Sequence, residues 1–216
     1  ANAMRLHLGL AEEGPVNDLI TVLENKGILV YICDVESSKF SGMNGFVNER
    51  PYIIVNGNMS PERNRSTIAH ELAHLVFEWQ EDMDEKNVEE TATAIAGAFL
   101  FPKADAIREL GVHRNKVTKD MTLVCREYGI SMFLLVKRAQ MARIISSEAA
   151  KSFYVMASSR GWKTQEPIRI KQERPTLFEQ LVFRAVSEGE ISIQRGAELL
   201  KIPYDSVLSH CQFEEG

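Results

Sequence analysis

A chain of 216 residues, 44% apolar and 25% charged, can bury a full core as one large domain or as one domain with a small appendage. Those proportions exclude a fibrous, disordered or membrane-embedded chain, and no apolar run approaches the about 20 residues that span a bilayer. The net charge of −5 is uneven: residues 1–100 carry 7 basic and 16 acidic side chains, residues 101–175 carry 15 and 7, and residues 176–216 carry 3 and 7.

The three residues before Met4 read as a cloning remnant. Val16 to Lys26 has helical spacing, with Leu19, Ile20 and Leu23 on one side and Gly27 as a stop. Ile28 to Ile32 and Tyr52 to Val55 are short β-rich runs, expected as strands of a small sheet, with a glycine-containing segment Ser41 to Asn48 between them. Ser60 and Pro61 supply an N-cap and a first-turn proline for a helix running through His74 to about Trp79. An acidic loop leads to a second long helix, about Val88 to Leu100, ended by Pro102. Helical periodicity then recurs at 104–110, 118–128, 131–145 and 147–158. Gly161 to Pro175 is polar, basic and aperiodic and reads as a linker, before helical stretches at 176–187, 193–200 and 204–210.

The long helix after Pro61 contains His70-Glu71-Leu72-Ala73-His74. Histidines four apart on a helix stand one turn above each other, so both imidazoles can reach one metal ion. Glu71, about 100° round from His70, can touch a water on that ion without ligating it, the placement of a general base. Ile68, Leu72, Leu75 and Val76 cluster on one side of this helix with His70 and His74 almost opposite, which disfavours the bland alternative of histidines on a packing stripe. A catalytic zinc needs a third protein ligand and one open position. The metzincin solution is excluded, because Gln80 stands where its histidine would be and Phe77 where its glycine would be. Glu89 and Glu90 on the next helix are the remaining candidates. Glu89 is preferred because it shares a stripe with Ala92, Ala96 and Phe99, small enough for two helices to approach closely, whereas Glu90 points about 100° away. His113 and Tyr128 are minor candidates for a donor on the oxyanion side.

Residues 51–102 resemble the core of the ImmA/IrrE-type zinc metallopeptidases, carried by PYIIVN (51–56), RNRSTIAHELAHLVF (63–77) and EETATAIAGAFLFP (89–102). A weaker likeness continues through Cys125 to Ile145. Ser66, Thr93, Ile95, Phe99 and Phe101 depart from the family pattern, and none falls on a ligand position. The resemblance implies His70, His74 and Glu89 as zinc ligands and Glu71 as catalytic acid/base. It also implies a protein substrate, typically a repressor or other regulator. Members often carry an N-terminal helix-turn-helix domain, which is not found here, and this suggests that the chain is part of a longer protein.

The expected fold is α+β: a zincin-like minimal metallopeptidase over residues 4–160, with a core at 28–102 and a helical extension at 103–160. A linker at 161–175 and a small helical module at 176–216 follow. Substrate is expected to add as a strand along a sheet edge at Tyr52, Ile53, Ile54 and Val55. Cys33, Cys125 and Cys211 form no paired motif, so free thiols and a cytoplasmic location are expected. The competing reading is a transcriptional regulator or metal or partner sensor that keeps the zincin fold without turnover. It would bind DNA through the basic middle block and the helix-turn-helix-like outlines at 122–142 and 191–207. Helices packed on the core explain the first outline as well, and acidic surroundings disfavour phosphate contact for the second.

Overall fold

The computed structural model describes residues 1–37 and 39–211. The chain divides into two compact units, Ala1–Glu173 and Arg174–Gly216, the second described as far as Cys211. The first unit is α+β, with helices α1 (Asn2–Leu8) and α2 (Leu19–Glu24) and strands β1 (Leu29–Cys33), β2 (Gly42–Val47) and β3 (Arg50–Asn56). Six helices follow: α3 (Pro61–Val76), α4 (Glu85–Leu100), α5 (Lys103–Leu110), α6 (Met121–Tyr128), α7 (Met132–Met141) and α8 (Ser147–Ser159). No helix among the described residues is long and apolar enough to cross a membrane.

The sheet runs in the order β1-β3-β2. β3 pairs in parallel with β1, Ile53 opposite Val30, and antiparallel with β2, Ile53 opposite Asn44. β2 is the strand that apolar patterning misses: Gly42, Asn44 and Gly45 leave Met43, Phe46 and Val47 as its only apolar residues. Its pairing is set by a two-residue turn, Asn48-Glu49, both at positive φ (47° and 64°), whose twist matches that of the hairpin it closes. The assignment of Tyr52, Ile53, Ile54 and Val55 to a substrate-accepting edge is therefore corrected. β3 is the central strand, and its backbone groups are engaged on both sides.

Ile53 and Val55 sit under α3, whose inner face places Ile68, Ala69, Leu72 and Ala73 in the core. α4 answers with buried Ala92, Ala96, Phe99 and Leu100. Alanine facing alanine lets the helices pack closely, which places side chains near their outer edges within reach of one another. The N-terminal residues set aside as a remnant form the first turn of α1. That helix is fixed by Arg5, whose guanidinium, 1% exposed, donates to the carbonyls of Phe99, Ala11 and Gly14 at 2.8–2.9 Å.

Residues 163–173, expected to belong to a linker, have no regular structure but are fastened to the first unit. Glu166 accepts a bond from the Met132 amide at 2.7 Å, and Ile168 is buried. Ile170 N–H donates to Glu62, while Glu173 pairs with Arg65 and accepts from the Ile20 amide. The segment lacks periodicity because backbone and ionic contacts hold it, not an apolar face. In the helix-turn-helix outline at 122–142, α7 buries Met132, Leu135, Val136 and Ala139 and packs against α4, α5, α6 and α8, so it is a wall of the first unit. The second unit is a small helical cluster of α9 (Leu177–Ser187), α10 (Ile193–Leu200) and α11 (Tyr204–Cys211) closing over Val182, Ala197 and Val207. Residues 212–216 of the expected module lie outside the described residues.

Candidate metal centre

Ser60 opens α3, its hydroxyl accepting from the Arg63 amide, with Pro61 in the first turn. Three turns on, His70 and His74 project from the edge of the helix next to α4, half-buried, their Nε2 atoms 3.2 Å apart. Glu89 reaches across from α4: Oε2 is 3.0 Å from His70 Nε2 and Oε1 is 3.2 Å from His74 Nε2. The donor atoms of these three residues lie within 4.8 Å of one another, the one such group among the described residues that could hold a metal ion. Two imidazole nitrogens and a carboxylate gathered at one point are the nitrogen and oxygen donors a divalent metal such as zinc takes, so this donor set fits such an ion.

Glu90 does not join the cluster, and its carboxylate is paired with Lys86 one turn back, 3.8 Å away on the exposed face. His113 is exposed and bonded to Asn115, and Tyr128 is buried against Phe101, its hydroxyl 2.7 Å from an Arg108 nitrogen. Desolvation pushes the Tyr128 phenol well above its ordinary value. Neither lines the groove at the cluster, which removes both as candidate donors.

Three side chains around the cluster carry no sequence signal. Asn44, on β2, donates from Nδ2 to Glu71 Oε2 at 2.7 Å. Thr93, one turn after Glu89 on α4, places Oγ1 3.3 Å from His70 Nδ1. Trp79 lays its ring against His74, centroids 5.4 Å apart. Asn44 could be found only by knowing that β2 is a strand, and Thr93 only as the position four after Glu89 that shares a face with Ala92 and Ala96.

A groove of about 1090 Å³ runs from the cluster between α3, α4 and α7, bounded by Ser41 and Gly42 at the start of β2. Gly42, Asn44 and Phe46 share the strand face that looks at α3: a Cβ on Gly42 would lie 2.6 Å from Thr67, and Asn44 reaches Glu71. Phe46, next on that face, is 65% exposed.

A three-stranded sheet over a close helix pair, with two histidines and a glutamate converging beside an open groove, defines a zincin-like metallopeptidase fold. Residues 23–140 match the peptidase M78 family, described as the IrrE N-terminal-like domain, and the chain belongs to this family of metallopeptidases. No curated protein matches the chain.

Proposed function

We propose that the protein is a zinc-dependent endopeptidase in which His70, His74 and Glu89 hold the ion, leaving one position open, and Glu71 is the general acid/base. The observation that carries this reading is the convergence of both Nε2 atoms on Glu89 at 3.0 and 3.2 Å. Zinc, when bound, supplies a Lewis acid that polarises a peptide carbonyl and brings the pKa of a coordinated water to about 7. The chain's own residues do the rest. Glu71 accepts the nucleophile's proton and returns it to the leaving amine. Asn44 holds Glu71 by one carboxylate oxygen and so leaves the other free for that proton. Thr93 accepts from Nδ1–H of His70 and keeps the Nε2 lone pair turned inward.

The substrate lies as an added strand against β2, in place of the β3 segment expected from sequence. β2 is an edge, and its Met43, Phe46 and Val47 are between 43% and 65% exposed, an apolar strand of the kind that recruits another chain. A regulator of repressor type as substrate follows from the family resemblance alone. The test is metal content and proteolysis measured together. Wild-type protein is expected to bind about one zinc per chain, His74→Ala to lose it, and Glu71→Gln to keep it without cleaving. Cleavage undiminished in Glu71→Gln would refute the assignment.

A further inference from the structure

The groove that leaves the metal cluster is electrically lopsided. Its acidic residues, Glu71, Glu89 and Glu90, stand at the cluster end. Its other walls carry Lys39, Arg63, Lys137 and Arg138. Among the described residues none of these four forms an ion pair, although Arg65, Arg108 and Arg114 of the same unit all do. Arg63 has one bond, to the Ser41 hydroxyl, and Arg138 spends only Nε, on the Phe101 carbonyl. Lys137 and Arg138 belong to α7, whose basic residues, read from sequence as a possible DNA surface, instead face this groove.

Resting on the peptidase reading above, we propose that these cations select substrates bearing an acidic side chain a few residues from the scissile bond, on its C-terminal side. Position follows from helix and strand geometry. Arg63 precedes His70 by two turns of α3, about 10 Å at 1.5 Å per residue. An extended peptide advances about 3.3 Å per residue, so the third residue from the cleaved bond comes level with Arg63. The direction follows from β2, which runs from Gly42 beside Thr67 to Asn44 beside Glu71. A strand added antiparallel to it runs the opposite way and carries its C-terminal part towards Arg63. A carboxylate there meets unpaired guanidinium and ammonium groups in a partly walled groove, whereas a lysine meets like charge.

The test separates binding from turnover. Zinc-loaded Glu71→Gln protein is immobilised and offered an equimolar random undecapeptide pool, and the retained peptides are sequenced by mass spectrometry. Aspartate and glutamate are expected to be enriched about threefold or more over the pool, with lysine and arginine depleted, at low salt. The same selection on a variant that adds Arg63→Glu and Lys137→Glu, both exposed side chains, should lose or invert the preference while zinc content stays at wild-type level. Retention without regard to charge, no retention at all, or a preference that survives the double reversal would overturn the proposal. Cleavage of the same pool by wild-type protein is read separately. Products should carry the acid about three residues after the cut, and an acid with no fixed position would overturn the placement. Absence of cleavage with charge-selective retention would instead count against the peptidase reading.

Discussion

Thr93 Oγ1 lies 3.3 Å from His70 Nδ1, across the ring from the Nε2 that faces Glu89. A histidine that coordinates through Nε2 must carry its proton on Nδ1, and a hydroxyl there both accepts that proton's bond and fixes the ring plane. Thr93→Val keeps the shape and removes the acceptor. It is expected to weaken zinc binding about tenfold or more, measured by competition with a chromogenic chelator, with circular dichroism unchanged.

Asn44 acts one step further from the ion. Asn44→Ala releases Glu71 Oε2 without touching the three converging donors. Metal content should be unchanged and peptidase turnover should fall about tenfold, because a base free to rotate spends less time aligned with its proton. An unchanged turnover would remove Asn44 from the account.

The β2–β3 hairpin carries a local cost. Glu49 sits at φ 64°, where an L side chain is disfavoured by about 1–2 kcal/mol, and only part of that is offset by the greater unfolded-state freedom of glycine. Glu49→Gly should therefore raise stability by about 0.5–1 kcal/mol, read as a higher urea midpoint at constant slope.

Gly129 is the opposite case. Its φ is 62°, and a Cβ would stand 2.6 Å from Nε of buried Arg65, which binds the carbonyls of Val16 and Asn17 and the carboxylate of Glu173. Burial brings the Arg65 guanidinium down to about 10, a sign of how far it is removed from water. Gly129→Ala should cost about 2–4 kcal/mol, since backbone strain and displacement of this arginine act together.

Glu166 gives a pH test. Burial, then the nearby Glu62, raises its pKa above the ordinary 4.5, outweighing bonds from the amides of Met132 and Phe133. The folded protein thus holds this proton more tightly than the unfolded chain, so the contribution is most favourable below about pH 4.5 and is lost as pH rises through the folded value. Glu166→Gln keeps an oxygen for the amides and removes the ionisation. Its Tm should exceed wild type at pH 7 and match it at pH 4, and the reverse pattern would contradict the assignment.

The parts of this fold that follow a local rule are legible in the sequence. The Ser60-Pro61 start of α3 and the stop of α4 before Pro102 need only near neighbours. Glu89 over Glu90 needs one helix's periodicity, and the cluster joins the residue so chosen. Long-range pairing is not legible in the same way. Nothing in Gly42–Val47 says that it flanks β3, and apolar patterning alone points to the more apolar strand as the edge, whereas that strand belongs in the centre. Asn44 and Thr93 escape for the same reason, being ordinary polar residues until the sheet and α4 bring them to Glu71 and His70. The strap at 163–173 is hidden because its anchors, Glu62 and Arg65, lie about 100 residues earlier.

The most direct test of the central claim is anomalous diffraction at the zinc edge from crystals of zinc-loaded protein. One peak is expected between His70 Nε2, His74 Nε2 and Glu89, at about 2.0–2.2 Å from each, with no fourth protein ligand. A peak held by Glu90, a fourth protein ligand closing the site, or no peak in folded, zinc-loaded crystals would contradict it.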